Sequence, residues 1–164
     1  MFIAISVYEE ISKSAMETVK AHLAFPVTNI PQTKEFYCQG LGCDVGRESP
    51  NALILNLYGH QMVAHVTKQP LTPQKGIYPR HFGLIFLSEK DFDHLLQRAS
   101  TKQLKFYQPP RRRFVGTPIE HRTFFLEDPF YNLLEFKFYL DQEAIFCQQN
   151  YKKSAILQTL DYGN

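Results

Sequence analysis

Tryptophan is absent from this sequence, and cysteine is scarce: Cys38, Cys43 and Cys147 are the only three in 164 residues. They match no metal-finger spacing and cannot all pair with one another. Free thiols in a reducing compartment are therefore expected, which makes the cytoplasm the expected location. No apolar run approaches the ~18 residues needed to span a bilayer. The N-terminus opens Met1-Phe2-Ile3-Ala4-Ile5-Ser6-Val7 and turns acidic at Glu9-Glu10. It has no basic start and too short an apolar stretch for a signal peptide. A surplus of one charge is missing too. The formal net charge of +2 is too small to imply a nucleic-acid partner. One short basic cluster, Arg111-Arg112-Arg113, follows Pro109-Pro110 and is expected to be a solvated loop.

What is abundant is phenylalanine and tyrosine, 14 and 9 residues. Rings of this kind fill pleated, half-buried surfaces, so β-rich structure is expected. The remaining composition, 44% hydrophobic and 21% charged, suits a water-exposed globular fold of about one domain.

Periodicity divides the chain further. Residues 1–15 read as an N-terminal extension, with Met16 a plausible natural start. Val19–Val27 alternates as a strand, with His22, Ala24 and Pro26 on one face. Asn29 caps a helix over about Pro31–Leu41 that stops at Gly40 and Gly42. Strands are expected over Cys43–Glu48, Ala52–Leu57 and Gln61–Thr67. A linker at 69–79 holds Pro70, Pro73, Gly76 and Pro79. The pattern then repeats: a strand over Arg80–Leu87, a helix opened by Ser88 and running to about Ala99, and strands near Leu104–Tyr107, Arg122–Leu126 and Leu133–Tyr139. Modules at 16–68 and 80–139 thus share the order β-α-β-β-β, and 140–164 is a tail. A repeat of this size implies an α+β fold of two paired βαβββ modules, whose curved sheets face each other around one cleft.

The candidate chemistry lies on the first and last strands. Glu135 sits among Leu133, Leu134, Phe136 and Phe138, where an ionised carboxylate is costly unless something positive binds it. His81 opens the second module, and His22 holds the corresponding place in the first. Two imidazoles and one carboxylate form the ligand set of a facial triad with open positions. A single divalent metal ion on His22, His81 and Glu135 is expected. His65 lies on the last strand of the first module, roughly where Glu135 stands in the second. It is read as a catalytic base, a fourth ligand or a hydrogen-bonded core histidine. His121 and Arg122 begin a strand near the cleft mouth, where either can touch an anionic substrate.

The segment Thr123-Phe-Phe-Leu-Glu-Asp128-Pro129-Phe-Tyr-Asn132-Leu-Leu-Glu135-Phe136 resembles the Asp-Pro-x-Gly-Asn-x-x-Glu signature of vicinal-oxygen-chelate domains. These domains include glyoxalases, bleomycin-resistance proteins and extradiol dioxygenases. Phe36-Tyr37-Cys-Gln-Gly-Leu41-Gly42 is similar to the Phe-Tyr-x-x-x-Leu-Gly that ends the first helix of that family. The resemblance covers about residues 19–139. It implies paired βαβββ modules, ligands at His22, His81 and Glu135, and a small-molecule substrate with adjacent oxygens. Fe2+ is the favoured metal, with Ni2+, Zn2+ or Mn2+ as alternatives. Dioxygenase-like chemistry is implied first, then glyoxalase-like isomerisation or lyase chemistry, then small-molecule sequestration without catalysis. Family members often pair, so a homodimer is implied, through the outer faces of the helices or the tail after Tyr139, which carries Ile145, Phe146, Ile156 and Leu157. Two departures stand out: Tyr131 replaces the signature glycine, so a different loop shape is expected. Phe125 replaces a tyrosine common in extradiol enzymes, which weakens a catechol reading.

Overall fold

The computed structural model describes residues 19–146. The extension at 1–15, Cys147 and the tail residues Ile156 and Leu157 lie outside them. β1 (His22–Val27) leads into α1 (Ile30–Thr33), which continues as a π-helical stretch, α2 (Lys34–Leu41). Asn29 caps it by accepting from the Gln32 amide at 2.9 Å. Gly42 ends it in a left-handed conformation, φ +90°, which a residue without Cβ adopts freely. β2 (Asp44–Ser49), β3 (Ala52–Leu57) and β4 (His60–Val66) complete the first module. Residues 67–81 are irregular. The second module comprises β5 (Phe82–Phe86), α3 (Glu89–Thr101), β6 (Phe106–Arg113), β7 (His121–Glu127) and β8 (Leu133–Tyr139), with a short 3-10 turn at Gln142–Ile145.

Each module folds into a four-stranded mixed sheet, β1-β4-β3-β2 and β5-β8-β7-β6. The first and last strands of each module lie side by side and parallel. The fold is therefore α+β, two βαβββ units, as expected. Both units feed one core: Phe25, Tyr37, Leu55, Phe86, Phe92, Phe124 and Phe136 belong to a single buried cluster. The Phe25 and Phe82 rings meet at 5.4 Å across the two parallel-edge strands. Arg98 on α3 donates to the carbonyls of Gly40 and Gln39 at the end of α2, which satisfies carbonyls that the helix leaves open.

The Asp-Pro-x-x-Asn segment is a structural clasp. The buried Asp128 carboxylate accepts from Tyr37 Oη of the other module and from the amides of Phe130 and Asn132, each at 2.8 Å. Asn132 Nδ2 donates to the Pro26 carbonyl on β1 at 2.9 Å. Tyr131 adopts φ +66°. It takes the left-handed geometry a glycine would favour, in a loop held by the Asp128 hydrogen bonds to Phe130 and Asn132.

β6 corrects an expectation. Arg111–Arg113 are strand residues, paired with Thr123, Arg122 and His121. β6 is an edge strand, so Pro109 and Pro110 lose no ladder bond on the outer side. Register shifts on both sides of Gln108 absorb them.

Candidate metal centre

Register decides which side chains meet. On β8, Glu135 is opposite Gly83 of β5 and Phe125 of β7. A Cβ on Gly83 would stand 1.6 Å from the Glu135 carbonyl oxygen. Only glycine lets the two strands approach this closely beside the carboxylate. His81, just before β5, places its Nε2 3.1 Å from Glu135 Oε2. Two donors each ~2.1 Å from one metal at right angles are about 3.0 Å apart, so this spacing suits adjacent ligands of a single ion.

The imidazole is also oriented for that task. His81 Nδ1 lies 2.7 Å from the Ile77 carbonyl, an oxygen that can only accept. The proton therefore sits on Nδ1, and Nε2 is turned toward Glu135, the arrangement that fixes a metal-ligating histidine. Without a metal, a second proton on Nε2 serves the carboxylate instead. The hydrogen bond to Glu135 raises the His81 pKa above its ordinary 6.5. Burial by itself would raise the Glu135 pKa, but hydrogen bonds from His81, Lys137 and Thr123 and the Lys137 charge hold it below the ordinary 4.5. Lys137 Nζ is 3.1 Å from Oε2, and Thr123 Oγ1 donates to Oε1 at 2.9 Å.

His22 lies on the other sheet, exposed at the start of β1. Its Nδ1 is 2.6 Å from Gln61 Oε1, so its Nε2 is likewise left to point outward. Among the described residues, no group of three or more His, Cys, Asp or Glu is close enough to hold a metal ion. The chain brings His81 and Glu135 together and does not bring His22 to them.

His65 does not occupy the place expected of it. Glu135 pairs two residues beyond His81, with Gly83; the matching position in the first module, two beyond His22, is Ala24, which pairs with Val63. His65 instead stands opposite Pro26, four residues along β4 from the partner of His22, or about 13 Å at strand spacing. It is exposed. Arg122 also leaves the open face: it binds Glu89 at 2.7 Å and Asp93 at 2.8 Å on α3 and lies over the Phe92 ring. Strand alternation turns residue 122 toward the helix and 121 and 123 away from it.

Sequence reasoning missed Lys137, Thr123 and Gly83. Alternation along β8 alone puts residue 137 on the face of Glu135, so that lysine was within reach. Thr123 and the Ile77 carbonyl had no signal, because only register and backbone path bring them in.

A family model described as the Glyoxalase/Bleomycin resistance protein/Dioxygenase superfamily matches residues 21–136. A crystal structure of a glyoxalase/bleomycin resistance protein/dioxygenase from Alicyclobacillus acidocaldarius is 39% identical and superposes with a TM-score of 0.75, covering 79% of this chain and 99% of that one. The genomically encoded fosfomycin resistance protein FosX of Listeria monocytogenes shares the fold at 15% identity, TM-score 0.60, with 79% and 99% covered. TioX from Micromonospora does so at 16% identity, TM-score 0.57, with 75% and 100% covered. No curated protein sequence matches this chain.

Proposed function

The chain belongs to the Glyoxalase/Bleomycin resistance protein/Dioxygenase superfamily, and from that premise we propose that it is a metal-dependent enzyme acting on a small molecule with adjacent oxygens. The observation that carries this reading is the His81–Glu135 pair: a buried carboxylate and a tautomer-fixed imidazole at 3.1 Å, on the open face of the second sheet. His22 supplies the third ligand. Because His22 lies on the open face of the other sheet with Nε2 outward, a second copy of the chain brings it to the pair. The working unit is then a homodimer with one divalent metal per chain. When bound, the metal supplies Lewis acidity toward a substrate's paired oxygens.

The protein's own groups do the rest. His81 and Glu135 would hold the metal, and the proton they share at 3.1 Å would be released to do so. Thr123 keeps the carboxylate oriented by its hydrogen bond to Oε1. Lys137, 3.1 Å from Oε2, would stand beside a bound metal, with its charge able to face a substrate's negative group.

A His-His-Glu set suffices for Fe2+ and a dioxygenase-like reaction. A second, glyoxalase-like reading with Ni2+, Zn2+ or Mn2+ is favoured by Phe125. Its ring lies 5.4 Å from His81, edge-on, and opposite Glu135, so position 125 offers no hydroxyl to orient a catecholate. Mixing separately purified His22→Ala and Glu135→Ala chains tests the shared site, because a mixed dimer rebuilds one intact ligand set. Metal binding that returns on mixing supports the reading; two inert variants that stay inert when mixed, with subunit exchange verified, overturn it.

A further inference from the structure

His121 is 4% exposed, with its ring between Tyr139 at 4.7 Å and Phe114 at 5.5 Å. Its Nδ1 donates to the Ile119 carbonyl at 2.9 Å, so Nε2 carries a bare lone pair. That Nε2 is the one buried side-chain nitrogen or oxygen among the described residues with no hydrogen-bond partner. A buried acceptor left unpaired is destabilising, and natural folds keep one where a ligand or water completes it.

Register gives the neighbours of His121 on its face of the sheet. Across β6, β7 and β8 the rows read Arg113, His121, Tyr139; then Arg111, Thr123, Lys137; then Gln108, Phe125, Glu135. Residues directly opposed across a sheet project to the same face. Three cations, Arg111, Arg113 and Lys137, therefore share this face with one carboxylate in these rows, Glu135. The proximity is also electrostatic: burial pushes the His121 pKa below its ordinary 6.5, and the Lys137 and Arg113 charges push in the same direction. A neutral ring follows, able to accept a proton or a hydrogen bond.

A buried acceptor beside cations complements a ligand that has a negative charge and, next to it, an O–H to donate. We propose that this face binds a small 2-hydroxycarboxylate, with Lys137 and Arg113 on the carboxylate and His121 Nε2 accepting the hydroxyl. The assignment rests on the reading above in that it names the substrate class of the same open face.

Calorimetry with glycolate, methoxyacetate and acetate tests it, on protein as purified and after dialysis against a chelator. Glycolate is expected to bind at least threefold tighter than the other two, as one hydrogen bond allows, and to keep that preference without metal. Lys137→Met weakens all three about tenfold. His121→Phe, which fills the same ring space, abolishes the glycolate preference while metal content stays unchanged. Methoxyacetate needs no mutation, so the hydroxyl requirement is tested even if His121→Phe misfolds. Equal affinity for the three acids, or a preference that survives His121→Phe, overturns the assignment. Glycolate selectivity lost only on removing metal overturns it too, since the hydroxyl would then be read by the metal. Failure of the metal reading shows separately, as full metal retention in Glu135→Ala.

Discussion

Glu135 Oε2 accepts from two cationic side chains, with His81 Nε2 and Lys137 Nζ each 3.1 Å away. Metal-free protein thus holds in place, by proton and ammonium, a carboxylate that would otherwise be costly to bury. A divalent ion held by His81 Nε2 and Glu135 would displace the proton between them, so its binding is coupled to pH.

Metal content is the first expected outcome. One divalent ion per chain is predicted, and Glu135→Ala and His81→Ala should each reduce it to background in elemental analysis. Proton release on titrating metal into buffered protein should accompany binding. Full occupancy in Glu135→Ala would remove the basis for the metal assignment.

His65→Leu is predicted to change metal affinity by less than about threefold, since Val63 rather than His65 holds the position equivalent to Glu135 and Leu can neither ligate nor take a proton. A loss of an order of magnitude or more, with an unchanged circular dichroism spectrum, would return His65 to the ligand set.

Two histidines should titrate on opposite sides of 6.5 in metal-free protein. His81 is raised by its hydrogen bond to Glu135, and His121 is lowered by burial. The stabilisation from His81 is complete below 6.5 and is lost as pH rises through its folded pKa. His121 acts in the reverse sense: stability is complete above 6.5 and falls as pH drops toward its folded pKa. NMR of the ring protons reads both midpoints, and Glu135→Gln should lower that of His81. A shared midpoint would contradict the described geometry.

Tyr131→Gly should stabilise the fold by about 0.5–1 kcal/mol, because a non-glycine residue at φ +66° bears a left-handed penalty of ~1–2 kcal/mol, part of which glycine's extra unfolded-state freedom offsets. Thermal melts decide it. A clear loss of stability would mean that the tyrosine ring contributes packing larger than the backbone penalty.

Asp128→Ala should cost roughly 3 kcal/mol in chemical denaturation, since Tyr37 Oη and the Phe130 and Asn132 amides lose a charged, buried acceptor. Any remaining folded protein should still bind metal. Loss of metal at full stability would instead place Asp128 in the site.

Local chemistry made much of this protein legible in its sequence. Asn29 before Pro31, Ser88 before an amphipathic run, and strand alternation around His22 and Glu135 act within a few residues of themselves. Such signals determined the helices, most strands and the doubled βαβββ order. Glu135 was legible as a candidate for the site because a carboxylate between Leu134 and Phe136 needs a cationic partner wherever the strand goes, and His81 and Lys137 are such partners. Tertiary structure decided what depends on register and path. A shift of two residues in pairing puts Val63, not His65, in the place matching Glu135. Strand alternation turned Arg122 to α3 and left His121 on the face shared by Arg111, Arg113 and Lys137. The edge position of β6 let two prolines and three arginines form a strand. The separation of His22 from the His81–Glu135 pair belongs to the same class. It follows from how two sheets pack on a shared core, and no residue near His22 in the sequence encodes that distance.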